Sequence, residues 1–181
     1  MYILASASPR RKELLSLITT DFKIVPSGEE ETVPNNIPPE KQPEYLARLK
    51  ALSVSRNYPE YTVIGADTSV IADGKILGKP KNRSEARDMI TALSGSTHKV
   101  ITGCAIVKNG ICRSFSKETL VEFYALDERE IEEYISTDEP YDKAGAYGIQ
   151  GRGALLVKGI KGDYFNVVGL PVAALKRELG V

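Results

Sequence analysis

Met1-Tyr-Ile-Leu-Ala-Ser-Ala-Ser-Pro-Arg-Arg-Lys12 holds a strand, a tight polar loop and a helix start in a single short segment. Tyr2 to Ala5 is an apolar run suited to a buried strand, and Ser6-Ala7-Ser8 forms the loop. Pro9 fits the first position of a helix whose cap is Ser8. A strand-loop-helix start of this kind leaves N–H groups of the first helical turn facing outward, where the helix dipole favours an anion. Arg10 and Arg11 add two guanidinium groups, so phosphate is the natural guest. The same residues also suit a merely capped helix or a basic patch on a nucleic-acid backbone. Positive charge in a first turn opposes the dipole, which weighs toward binding rather than stability.

The composition narrows the choice. The chain has 181 residues, 42% of them hydrophobic, enough for one well-buried core or for two lobes sharing a sheet. Lys plus Arg and Asp plus Glu are both 24, so no global basic field exists to draw the protein onto DNA or an anionic membrane. Neither nucleic acid nor membrane is expected as a partner. Apolar runs are far shorter than a bilayer span and no leader-like segment opens the chain, so a cytoplasmic location is expected. Cys104 and Cys112 fall in a two-stranded hairpin without metal-ligand spacing and read as small hydrophobes. His98 is the single histidine, which excludes any multi-histidine centre and weighs toward a structural hydrogen bond.

Outward from the first helix, with Leu14, Leu15 and Ile18 on one face, Phe22 to Pro26 reads as a second strand. Ser27 to Pro39 is an acidic, proline-broken loop containing Glu29-Glu30-Glu31. Those carboxylates suit a solvated turn or, alternatively, a ligand for a hard cation. A helix follows over Pro43 to Asn57 with Leu46, Leu49 and Val54 as its buried stripe, and Ala47 and Ala51 beside Lys50 permit a close approach to another segment.

Tyr61 to Ala72 is the most informative interior run, β-branched and apolar on either side of Gly65-Ala66-Asp67-Thr68. A strand of that kind is covered on both faces, so the Asp67 carboxylate requires a partner: lysine, arginine or a divalent metal. Asp73-Gly74 makes a hairpin turn returning toward Lys79-Pro80, which would bring Lys79 within reach of the Asp67 region. Lys79 suits phosphate binding and a purely structural place equally.

Asn82 or Ser84 caps a helix to Leu93, and Asn109-Gly110 joins strands over Thr97–Val107 and Ile111–Tyr124. Asp127 caps a further helix with Ile131, Tyr134 and Ile135 inward. Asp142 to Ala154 carries glycines at 145, 148, 151 and 153 but neither a P-loop nor a dinucleotide fingerprint. It reads as a recognition loop, with Gln150 offering an amide to a base edge and Tyr147 a surface for stacking or packing. Leu155 to Ile160 is a strand, and Gly169-Leu-Pro171 opens the last helix. Asn166 and Gly169 would lie near a nucleotide if that helix start faces it.

Leu4 to Arg11, Val63 to Thr68, Leu77 to Pro80, Leu93-Ser-Gly95 with His98, Asp142 to Gln150 and Val168 to Pro171, in that order over nearly the whole chain, resemble the Maf family of nucleoside triphosphate pyrophosphatases. The resemblance implies one Maf-like domain over 1–181, of mixed α/β fold related to the inosine triphosphate pyrophosphatases: a mixed central sheet flanked by helices, with two lobes around a nucleotide cleft. It implies a cytoplasmic enzyme that hydrolyses a nucleoside triphosphate to the monophosphate and pyrophosphate with Mg²⁺ or Mn²⁺. A homodimer is a further family expectation. Lys143-Ala-Gly-Ala-Tyr147 and Gln150 look like the branch acting on dTTP and UTP, with modified pyrimidine nucleotides as further candidates.

Matched residue by residue, the family pattern gives Asp67 as proton acceptor or metal-coordinating carboxylate, and Arg10, Thr68 and Gln150 as substrate-selecting positions. Ser8, Arg11, Lys50 and Lys79 match the polar lining of its phosphate site. A metal-facing glutamate falls on Glu31, with a register slip along Glu29–Glu31 left open. Ser96, where relatives often carry arginine, and Ser27-Gly28-Glu29 depart from the pattern and bear on local loop geometry. With one histidine and no reactive-looking cysteine, a water nucleophile is expected rather than a covalent intermediate. The resemblance also leaves a reading from a different class, a nucleotide-binding regulator of septum formation whose hydrolysis is incidental.

Overall fold

A computed structural model describes all residues Met1–Val181. The opening segment folds as read: β1 (Tyr2–Leu4), then α1 (Pro9–Ser16) with Ser8 as N-cap, its side chain accepting from the Arg11 N–H. Along the chain follow β2 (Phe22–Ile24), α2 (Gln42–Ser55), β3 (Thr62–Ala72), β4 (Lys75–Leu77) and α3 (Arg83–Leu93). Then come β5 (Thr97–Lys108), β6 (Ile111–Phe123), α4 (Glu128–Ile135), β7 (Val157–Lys161), α5 (Tyr164–Val168) and α6 (Val172–Leu179).

The seven strands form one mixed sheet in the order β2-β1-β3-β5-β6-β7, with β4 paired to β3. β1 runs parallel to both β2 and β3, with Ile3 opposite Lys23 and Val63, whereas β4 and β7 pair antiparallel with β3 and β6. Parallel neighbours require a crossover, and α1 and α2 supply it within the chain order. The two hairpins turn at Asp73-Gly74 and Asn109-Gly110, where φ is positive at both central residues, as a turn matching strand twist requires. The expected mixed α/β sheet with flanking helices is therefore present.

The chain divides into two compact units. The first comprises Met1–Thr68, Thr102–Lys117 and Gly169–Val181, and the second Ser69–Ile101 and Glu118–Val168. The first packs Ile3, Ala5 and Val63 against Ala47, Ala51 and Val54 of α2, with Ala105 and Val107 of β5. The second packs Ile90 and Leu93 of α3 and Ile131, Tyr134 and Ile135 of α4 on Val100, Val121 and Phe123. Asp127 closes a capping box with Glu130, which fixes the start of α4.

Two expectations need correction. The buried stripe of α2 is Pro43, Ala47, Ala51 and Val54, with Leu46 and Leu49 only half-buried. A Cβ placed on Gly65 would lie 2.3 Å from the Ala47 carbonyl oxygen, and one on Gly103 would lie 2.2 Å from the Glu44 nitrogen. Helix backbone thus rests directly on strand backbone, and only the small face of α2 fits there. Strand β7 begins at Val157 instead of Leu155, because Gly151–Leu155 forms a 3₁₀ turn that leaves the Leu155 side chain 77% exposed.

Candidate active site

Asp67 lies inside β3, and its carboxylate is 14% exposed. Its partner is lysine: Lys50 Nζ donates to Asp67 Oδ1 at 2.7 Å. The same ammonium reaches Glu31 Oε1 at 2.9 Å, so one cation joins two carboxylates, one from a central strand and one from the acidic loop. Lys50 projects from α2 beside Ala47 and Ala51, the residues that let the helix settle on Gly65, two positions before Asp67. Burial pushes the Asp67 pKa above the usual carboxylate range, and the charges of Lys50 and Arg11 oppose that shift without cancelling it. Within the acidic run, Glu29 pairs with Arg56, and Glu31 is the residue that reaches Lys50.

Arg11 makes three hydrogen bonds within its own unit. Its Nε donates to the Gly169 carbonyl at 3.0 Å, one terminal nitrogen to Ser6 Oγ at 3.3 Å and the other to Thr68 Oγ1 at 3.1 Å. The guanidinium therefore ties α1 to the turn before α6 and to the residue after Asp67. Burial lowers its pKa, with Asp67 as the leading opposing influence. Thr68 Oγ1 is also 2.9 Å from the hydroxyl of fully buried Thr102. Ser8 serves as the cap, its Oγ accepting from the Arg11 N–H at 3.4 Å and its own N–H donating to Ser6 Oγ at 3.2 Å. Arg10 is half-buried at the first turn of α1.

Of the expected site residues, the first unit thus brings together Ser8, Arg11, Glu31, Lys50, Asp67 and Thr68, and carries Arg10 beside them in the chain. The sequence reading assigned no role to Ser6 or Thr102. Thr102 had a signal: it is a hydroxyl in the otherwise apolar run Val100–Val107.

Lys79 and Gln150 belong to the second unit, and both are exposed. Tyr147 is only 4% exposed, so its ring is a core element and not a stacking surface. It meets His98 and Phe123 edge to face, with centroids 5.3 and 4.7 Å apart, and its hydroxyl lies 2.7 Å from His98 Nε2. The structural reading of His98 holds: the ring is buried, Nδ1 has no partner, and desolvation pulls its pKa down to about 4. Asn166 is likewise structural, fully buried and donating to the Val100 carbonyl and Thr119 Oγ1. Cys104 and Cys112 are unpaired, and burial pushes the Cys104 thiol up to about 12.

The donor set fits a hard divalent cation. Asp67 and Glu31 offer carboxylate oxygens that already converge on one positive charge, the Lys50 ammonium. No cluster of three or more His, Cys, Asp or Glu side chains forms an all-protein cage. One or two carboxylates completed by phosphate oxygens and water is the usual arrangement for Mg²⁺.

The family model described as Maf-like protein matches residues 1–180. The chain belongs to the Maf family. Among curated relatives of this Maf family chain, the dTTP/UTP pyrophosphatase of Bacillus cytotoxicus is 51% identical over 178 residues, 98% of this chain and 93% of that protein. Its counterparts of the same name in Bacillus cereus and Bacillus velezensis are 50% and 51% identical over 177 residues, again 98% of this chain, with 93% and 94% of their own lengths covered. Among solved structures, a HAM1 protein from Coxiella burnetii matches with a TM-score of 0.55 at 13% identity, covering 99% of this chain and 98% of that one. The nucleoside-triphosphatase / dITP/XTP pyrophosphatase of Mycobacterium abscessus gives 0.50 at 15% identity, with 99% and 97% covered. Those two likenesses concern the Maf fold alone. No helix is long and apolar enough to cross a membrane.

Proposed function

We propose that this Maf family chain is a dTTP/UTP pyrophosphatase, hydrolysing the triphosphate to the monophosphate and pyrophosphate, with residues 1–181 acting as one domain. The observation that carries the reading is the Lys50 ammonium held between Asp67 and Glu31, 2.7 and 2.9 Å away, in a chain half identical to relatives bearing that name. Asp67 accepts the proton of a water that attacks the α-phosphorus. The bond from that phosphorus to its bridging oxygen breaks, and pyrophosphate leaves. A raised carboxylate pKa suits a general base operating near neutral pH.

Lys50 and Arg10 neutralise phosphate charge, and Ser8 holds the first turn of α1 so that its N–H groups face an anion. Arg11 fixes the loop and Thr68 through three of its five N–H groups, and its place in the phosphate lining is supported by the family pattern. Asp67 and Glu31 would hold Mg²⁺ or Mn²⁺, which when bound supplies charge stabilisation at the phosphoryl oxygens. Lys79 at the phosphates and Thr68 and Gln150 at the selection of substrate are supported by the family pattern, as are a cytoplasmic location and a homodimer.

The test is product analysis across canonical and modified nucleoside triphosphates with Mg²⁺ or Mn²⁺ in ¹⁸O-labelled water. Pyrophosphate released chiefly from dTTP and UTP, with the label in the monophosphate, is expected. Release of orthophosphate, or label in pyrophosphate, would refute attack at the α-phosphorus.

A further inference from the structure

The Gly-rich stretch of the second unit contains a helical turn capped from outside. Gly151–Leu155 is a 3₁₀ turn whose N-cap is Gln150, with extended backbone angles of φ −94° and ψ 168°. A residue at that position ordinarily turns a side-chain oxygen onto the N–H of the second or third residue of the turn. Here those N–H groups belong to Arg152 and Gly153, and both donate to Glu139, at 2.8 Å to Oε1 and 3.1 Å to Oε2. The Gln150 side chain makes no capping bond and is exposed.

Glu139 is itself anchored. Its N–H donates to Thr137 Oγ1 at 3.3 Å, and its carbonyl accepts from Lys143 Nζ at 2.7 Å. The loop is shaped to admit its carboxylate: Gly151 has φ +63°, and a Cβ there would lie 2.4 Å from Glu139 Oε1. A Cβ on Gly153 would lie 2.0 Å from the Gly148 carbonyl oxygen, so the backbone closes on itself around Gln150. An ionised carboxylate accepting two N–H groups is a strong and directional cap.

We propose that Glu139 is a positioning residue for base selection: by capping the turn in place of residue 150, it leaves the Gln150 amide unengaged and fixed for a ligand. This role rests on the assignment of Gln150 to the nucleobase. Glu139→Gln keeps the size of the side chain but replaces one acceptor oxygen by an NH₂ group that faces a backbone N–H. Glu139→Asp keeps both acceptors and the charge on a shorter arm.

The experiment is steady-state hydrolysis of dTTP, UTP and CTP by the full chain, comparing wild type, Glu139→Gln, Glu139→Asp and Gln150→Ala, together with amide hydrogen exchange at Arg152 and Gly153. Glu139→Gln and Gln150→Ala should each raise KM for dTTP and UTP by about tenfold and lower the UTP-over-CTP preference by a similar factor, with kcat within about threefold. Glu139→Asp should fall between them and wild type, and exchange at both amides should quicken in Glu139→Gln. KM and preference within about twofold of wild type in both Glu139 variants, despite faster exchange, would overturn this role while leaving the assigned activity standing. An unchanged preference in Gln150→Ala would overturn it through Gln150. Absence of pyrophosphate release by wild type would overturn the activity and this role together.

Discussion

A Cβ at Gly65 would stand 2.3 Å from the carbonyl oxygen of Ala47, so α2 lies against β3 with no side chain between their backbones. That contact sets the depth of α2 and, one helical turn along from Ala47, the reach of Lys50 to Asp67. Gly65→Ala and Gly103→Ala should therefore destabilise the fold by about 1–3 kcal/mol or more, since backbone and not a flexible side chain must move. Gly159→Ala, where no heavy atom lies within 4 Å of the new Cβ, should be near neutral. Urea unfolding of the three variants checks the contrast.

Lys50 and Asp67 should respond asymmetrically to mutation. Lys50→Met leaves the mostly buried Asp67 and its neighbour Glu31 without their shared cation, a change expected to cost about 3–5 kcal/mol. Asp67→Asn removes a charge that burial disfavours and leaves Lys50 paired with Glu31, so its unfolding midpoint should stay close to wild type. Equal losses in denaturant titrations of both variants would refute the bridging role given to Lys50.

Arg11→Lys should not be conservative. A lysine cannot reproduce the fork that reaches the Gly169 carbonyl, Ser6 Oγ and Thr68 Oγ1 together. Loss of two of these contacts, with buried acceptors left behind, should lower stability by about 1–3 kcal/mol. Thermal unfolding at neutral pH measures it, and an unchanged midpoint would contradict the anchoring role.

His98 gives the protein an acid sensitivity of calculable sign. Its folded-state pKa of about 4 lies below the 6.5 of an unperturbed imidazole, so as pH falls the unfolded chain takes up this proton first. The stabilisation associated with neutral His98 is complete above pH 6.5 and lost between about 6.5 and about 4, a change of about 3 kcal/mol. Unfolding free energies at several pH values should show the gap between wild type and His98→Gln narrowing over that window. Parallel curves would show that His98 does not set it.

Much of this architecture could be read in advance because local chemistry and tertiary context agree. Ser8-Pro9 had one good use as a helix start, Asp73-Gly74 and Asn109-Gly110 as hairpin turns, and Asp67 in an apolar strand had to find a cation. The misreadings arose where backbone proximity overrode hydrophobicity. Periodicity favours Leu46 and Leu49 as the buried face of α2, but Gly65 and Gly103 invite the helix so close that alanines face the strands instead. Tyr147, set among glycines, looked available for stacking, whereas its ring completes the packing around His98 and Phe123. Glu139 had no legible signal, since its partners are backbone N–H groups 13 and 14 residues away.

The most direct test of the proposed chemistry is pyrophosphate release from dTTP by wild type and Asp67→Asn under the same Mg²⁺ concentration. A fall of about 10²–10⁴-fold in kcat with the fold intact is the predicted result for loss of a general base. Turnover by Asp67→Asn within a few-fold of wild type would contradict the account, because the carboxylate that Lys50 holds would then have no part in the reaction.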